Sequence, residues 1–199
     1  AVGARRLRLG IVEDDLLAEA SPAVVASLAE VERRLRAAGH AVSRTPSPIA
    51  LRELLALHTT VLEFELARVH GHLRDAAAGE VTERLLEAVM RGSRLDDAAY
   101  RAARRGLAEA RRRFWAFYAD SDALIVPATP DEAPLGMKTG DPRFIIPFTA
   151  LAGPIMTVPV AVTANGLPLG VMVLGRPGDD AALIGAACTL AREIELPRA

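Results

Sequence analysis

The sequence predicts an α/β protein with a mixed sheet flanked by helices. Three observations carry that reading. A strand-helix-strand unit fills residues 7–45, and strands so joined pair in parallel. Two apolar runs near the end flank Ala164-Asn165-Gly166, and Asn-Gly between such runs signals an antiparallel hairpin. The middle is rich in Ala and Leu while aromatics make up only 4%, which favours helices on a sheet over a β-sandwich. At 199 residues and 51% hydrophobic content, the chain is long and apolar enough for one substantial folded domain.

Each element has its own signal. Leu7 to Val12 (LRLGIV) reads as a short buried strand. Ser21-Pro22 opens a helix, with Ser as the cap and Pro in the first helical position. Val24, Val25, Leu28, Val31 and Leu35 continue it at helical spacing, and Gly39 suits its left-handed end. His40 to Thr45 reads as a second strand, stopped by Pro46 and Pro48. Together these predict a parallel pair with a right-handed crossover. Ile49 to Ala78 is one long helical stretch or two, closed by Gly79. Val81 to Arg91 follows as a shorter helix. Leu95 to Tyr118 is another, opened near Asp96 and Asp97, whose charges suit a helix N-terminus. Asp122 to Val126 is a short buried strand. Pro127 to Pro147 holds five of the 13 prolines and reads as a long loop, a frequent home of function. Ile155 to Val162 and Leu167 to Leu174 form the hairpin, with Pro159 and Pro168 implying edges or bulges. Gly178-Asp179-Asp180 starts a final helix running to about Ile194.

Charge and cysteine content exclude several classes. A formal net charge of -1 gives no global attraction to nucleic acid. Lys138 is the single lysine, and the excess of arginine reads as coding bias. Cys188 stands alone, so no internal disulfide forms; its place in the last helix predicts a buried, inert thiol. No apolar run reaches membrane-span length and no signal peptide is visible, so no membrane partner and a cytoplasmic location are expected.

The residues offer little chemistry of their own. His40, His58, His70 and His72 lack metal-ligand spacing; His70 and His72 point to different helix faces, and neither metal nor cofactor is expected. No glycine-rich phosphate loop follows the first strand. Glu13-Asp14-Asp15 sits where a phospho-receiver would hold magnesium, but the helical run over 49–119 displaces the third acidic strand end such a domain needs. Arg111-Arg112-Arg113 with Phe114, Trp115, Phe117 and Tyr118 reads as a helix with a buried aromatic face and solvated or paired arginines. Ser21, Ser27, Ser43, Ser47, Ser93 and Ser121 sit in no nucleophile elbow.

Three passages together resemble the C-terminal half of the amidase-signature family. They are LRLGIVEDD with SPAVVASLAEVERRLRAAGHAV, then DALIVPATPDEAP, then FTALAGPIMTVPVAVTANGLPLGVMVLGRPGDDAALIGAACTLARE. The last is the most specific, because GLPxGxxxxG is followed at fixed distance by an acidic helix start. The helical middle matches only in pattern. The resemblance implies the C-terminal part of the amidase-signature fold over residues 1–199. It implies hydrolysis of a carboxamide C–N bond by a Ser–cis-Ser–Lys triad, none of which is in this chain. Lys138 is not at the position of the catalytic lysine. No catalytic residue is therefore expected here. Thr129 and Pro130 are expected to form a substrate-pocket wall, with Ala133 and Pro134 beyond. The expected partners are a small-molecule amide and the N-terminal half of the same protein, with a homodimer compatible. The rival is a non-catalytic binding or assembly module, or an amidotransferase A-type subunit.

Overall fold

The computed structural model describes residues 6–75, 79–136 and 139–194. Among the described residues, five strands form one sheet in the order β2-β1-β3-β5-β4. They are β1 (Arg8–Glu13), β2 (Ala41–Pro46), β3 (Ala123–Pro127), β4 (Ile155–Val162) and β5 (Pro168–Leu174). β1 runs parallel to β2 and β3, whereas β5 runs antiparallel to both β3 and β4. The sheet is therefore mixed, with β2 and β4 at its open edges.

Side-chain alternation divides the core into two layers, as a sheet covered on both faces requires. Leu9, Ile11, Ala123, Ile125, Val171 and Val173 face one side. There they meet Val31 and Leu35 of α1 (Pro22–Ala37) and Leu183, Ala187 and Leu190 of α6 (Asp180–Glu193). Val12, Leu124, Val126, Met172 and Leu174 face the other side. They pack on α2 (Leu51–Val69), α4 (Asp97–Phe117) and α5 (Ile146–Ala150). The short helix α3 (Glu83–Gly92) lies against α2, so close that a Cβ on Gly92 would come within 1.8 Å of the Glu63 carbonyl oxygen.

Local chemistry accounts for the helix boundaries. Ser21 accepts from the Val24 N–H and Pro22 begins α1; Gly39 follows its end at φ +89°. Asp96 accepts from the Ala99 N–H at the start of α4. The predicted hairpin is present, with an irregularity between Pro159 and Ala161 on edge strand β4.

Several expectations change. The stretch from Ile49 resolves into α2 and a 3-10 turn at Gly71–Asp75; its end at 76–78 lies outside the described residues, and so does Lys138. The loop after β3 is shorter than expected. Asp141 caps a 3-10 turn at Pro142–Phe144, and Pro147 lies in the first turn of α5, so two of the prolines begin helices. Cys188 is exposed, because α6 turns Ala186, Ala187 and Leu190 inward and position 188 falls off that stripe. His40 is buried. Phe114 and Tyr118 are buried as expected of α4, but Phe117 is 53% exposed. Arg111 and Arg113 donate to the carbonyls of Ala150 and Pro48.

Candidate active-site cleft

The topology singles out one end of the sheet. From β1 the chain passes over the α1 face to β2, then over the opposite face through α2, α3 and α4 to β3 on the far side of β1. Strand order thus reverses between β1 and β3, and the loops leaving their carboxyl ends diverge to opposite faces. Open α/β sheets bind ligands in the crevice so formed. An open cleft of about 850 Å³ lies there, within the size range of small-molecule sites. Glu19 and Ser21 from the β1–α1 loop form one wall, and residues 129–135 after β3 form another.

Backbone and side-chain hydrogen bonds hold these walls together. The Ser21 N–H donates to the Pro130 carbonyl at 2.8 Å, tying the two loops. The Thr129 hydroxyl donates to the Asp131 carbonyl at 2.8 Å and shapes the turn. Asn165, at the hairpin tip, donates to Glu132 at 2.6 Å. Thr129 and Pro130 therefore both line the cleft, joined by Ala133 and Pro134.

Asp14, at the end of β1, is committed to the fold. Its Oδ1 accepts from the Leu16 N–H at 2.8 Å and its Oδ2 from the Leu51 N–H at 3.1 Å, which fixes the start of α2. The buried Tyr118 hydroxyl lies 3.3 Å from the Thr45 carbonyl. Burial holds its phenol well above the usual range, and the carboxylates of Asp14 and Glu13 add to the effect.

Among the described residues, nothing in the cleft resembles an activated nucleophile. Ser27, Ser47 and Ser93 donate to carbonyls of Val24, Ile49 and Met90 within their own turns. Ser21 caps α1, Ser43 is exposed on β2, and Ser121 precedes β3 at the opposite end of the sheet. None of the four histidines lines the cleft. His58, on α2, has a buried Nδ1 without a hydrogen-bond partner among the described residues. Burial and then Arg111 lower its pKa. Among the described residues no group of three His, Cys, Asp or Glu side chains is placed to hold a metal. No helix among them is long and apolar enough to cross a membrane.

The sequence reading missed the ionic network at the mouth. Glu19 faces Arg52 through one oxygen, and its other oxygen lies 3.0 Å from Arg143 Nη1. Arg143 Nε lies 3.3 Å from Asp141 Oδ2. The available signal was the Asp141-Pro142 pair, a turn start that presents Arg143 one residue on.

Fold and cleft together define an open α/β protein with a crevice at the carboxyl ends of its strands. The chain belongs to the amidase family, whose model, described as Amidase, matches residues 3–184. The A-type subunit of glutamyl-tRNA(Gln) amidotransferase from Anaeromyxobacter sp. (strain K) is 31% identical over 224 residues, covering 96% of this chain and 46% of that protein. Its counterpart from Zymomonas mobilis subsp. mobilis is 33% identical over 135 residues, covering 63% of this chain and 27% of that protein. A crystal structure of an amidase superposes with TM-score 0.77 at 22% identity, covering 95% of this chain and 46% of that chain. The chain thus spans less than half the length of these relatives.

Proposed function

We propose that this chain is the C-terminal portion of an amidase that hydrolyses a carboxamide C–N bond to carboxylate and amine or ammonia. The attacking serine, its partner serine and the lysine base are supplied by polypeptide outside residues 1–199. The observation that carries this reading is the cleft itself: a ligand-sized crevice at the strand reversal, in a chain of the amidase family, with every nearby serine hydroxyl engaged in local structure. Thr129 and Pro130 form the wall against which the amide is held.

Further features support docking of more polypeptide. β2 and β4 leave two sheet edges unpaired among the described residues, and open edges invite a further strand. Beside the cleft, an apolar groove of about 380 Å³ runs between the end of β1 and α1, where Val25 is 53% exposed.

The test uses the native open reading frame. The intact protein is expected to release product from amides in a hydroxamate assay, and residues 1–199 alone are expected to be inactive. Turnover by residues 1–199, or a mechanism-based acyl label on one of their serines, refutes the assignment. A second reading, an amidotransferase A-type subunit, is favoured by the Anaeromyxobacter and Zymomonas relatives. It requires partner subunits, so turnover of simple amides by the isolated intact chain counts against it.

A further inference from the structure

The cleft wall after β3 is a loop, and a loop holds a ligand in one place only if its neighbours fix it. Its base is fixed to the β4–β5 hairpin, where the Ala128 N–H donates to the Gly170 carbonyl at 3.1 Å and continues the β3–β5 pairing. Its inner side is tied to the β1–α1 loop by the Ser21 N–H on the Pro130 carbonyl. Farther out, it meets the hairpin a second time at the tip, through the Asn165 amide on Glu132 Oε1 at 2.6 Å. Pro168 lies between the two hairpin contacts in sequence and lines the same cleft. Hairpin and loop therefore border the cleft together, joined at base and tip.

The turn at the tip does not account for the Asn165 side chain. Gly166 supplies the positive φ, at +79°. The turn closes through the Gly166 N–H on the Thr163 carbonyl and the Thr163 N–H on the Leu167 carbonyl. Neither bond uses the Asn165 amide, which reaches 33 residues back along the chain instead. Glu132 pairs with no cation among the described residues, so Asn165 is the side-chain partner of its carboxylate there. A bond to an ionised acceptor is stronger than one between neutral groups.

We propose that Asn165 is a positioning residue: through Glu132 it holds the wall that carries Thr129 and Pro130 against the hairpin and keeps the cleft at its working width. This rests on the amidase reading and deepens it. The attacking groups of that reading lie outside residues 1–199, so a displaced wall weakens substrate binding and leaves the chemical step in place. The loss is expected in KM and not in kcat.

The experiment uses the intact protein with butanamide. Asn165→Asp suits the turn as well as Asn does, but sets a second carboxylate against Glu132. Butanamide is uncharged, so the new charge acts on the wall and not on the substrate. KM is expected to rise about fivefold with kcat within about twofold. Adding Glu132→Gln exchanges donor and acceptor between the two positions and should return KM to within about twofold of the parent; a role confined to the turn is not repaired by a change at 132. Hydrogen–deuterium exchange without substrate provides a second readout: residues 129–135 should exchange about fivefold faster in Asn165→Asp and recover in the double variant. Unchanged KM or unchanged exchange in the single variant, or a double variant that reverses neither, overturns the inference. Failure of the intact parent to hydrolyse butanamide or benzamide, with exchange responding as expected, counts against the amidase reading and leaves the contact between wall and hairpin standing.

Discussion

Replacing His40 tests how the last helix is held to the sheet. The His40 side chain is 2% exposed and bridges two distant segments. Its Nδ1 accepts from the Leu7 N–H at 3.0 Å, which leaves Nε2 to donate to Glu193 Oε2 at 2.5 Å. The start of β1, the turn after α1 and the end of α6 thus meet at one ring. Each nitrogen has its own mimic. Asn at position 40 retains an acceptor near Nδ1 and loses the Glu193 bond; Gln retains a donor near Nε2 and strands the Leu7 amide. A stranded buried N–H costs about 1–3 kcal/mol. Loss of the bond to Glu193 costs about 1.5 kcal/mol, the low end for a charged partner, because water can reach that carboxylate. Ala loses both bonds and the packing of the ring, about 4 kcal/mol in all. The expected order of destabilisation is Ala, then Gln, then Asn. Urea unfolding followed by far-UV circular dichroism measures it, at constant m-value. The Ala variant should melt roughly 10 °C lower. An Ala variant within about 0.5 kcal/mol of the parent would refute the reasoning, since a surface substitution does no more.

Four further outcomes follow from the same structure. Gly92→Ala places a Cβ against the Glu63 carbonyl and should cost about 3 kcal/mol or more by forcing α3 off α2, read from the urea midpoint. Ala152 sits at φ 58° after α5, so Ala152→Gly should relieve about 1–2 kcal/mol of left-handed strain, less roughly 0.5–1 kcal/mol of added chain entropy, and raise Tm slightly. Glu30, held at about 2 by hydrogen bonds from Arg33 and Arg34, contributes stability above the ordinary value of 4.5 that is lost as pH falls from there toward 2; Glu30→Gln should flatten that part of the acid unfolding curve. Tyr118 is raised by burial and Tyr100 chiefly by its bond to Glu65, so the folded chain should show little tyrosinate absorbance at pH 10. Stability should fall above that pH, because the unfolded chain sheds those protons first.

Most of the fold was legible because its signals are local. Ser21-Pro22 and Gly39 bound α1 through cap geometry that depends on neighbouring residues alone. The alternation of Leu124, Ile125 and Val126 between two buried faces follows from the two-residue period of a strand. Pro159 marked an edge strand because it has no N–H to donate. The misread elements depend on partners far along the chain. Cys188 lies within an apolar run, yet only the docking angle of α6 decides that it faces out. His40 carried no signal of its role in the sequence, because its partners Leu7 and Glu193 lie 33 and 153 residues away.

The candidate site divides the same way. Thr129 and Pro130 were singled out by a family pattern that lies within one loop. Arg143, Glu19 and Asn165 reach that loop from three other segments, and no spacing rule links them. The sequence by itself determined the order and type of the elements, where each helix starts, and the family to which the chain belongs. Only the tertiary structure decided that strand order reverses between β1 and β3, opening a cleft there, and which charges line it. Caps and periodicities act over a few residues, whereas strand order and electrostatic neighbourhood arise when segments a hundred residues apart come within a few ångströms.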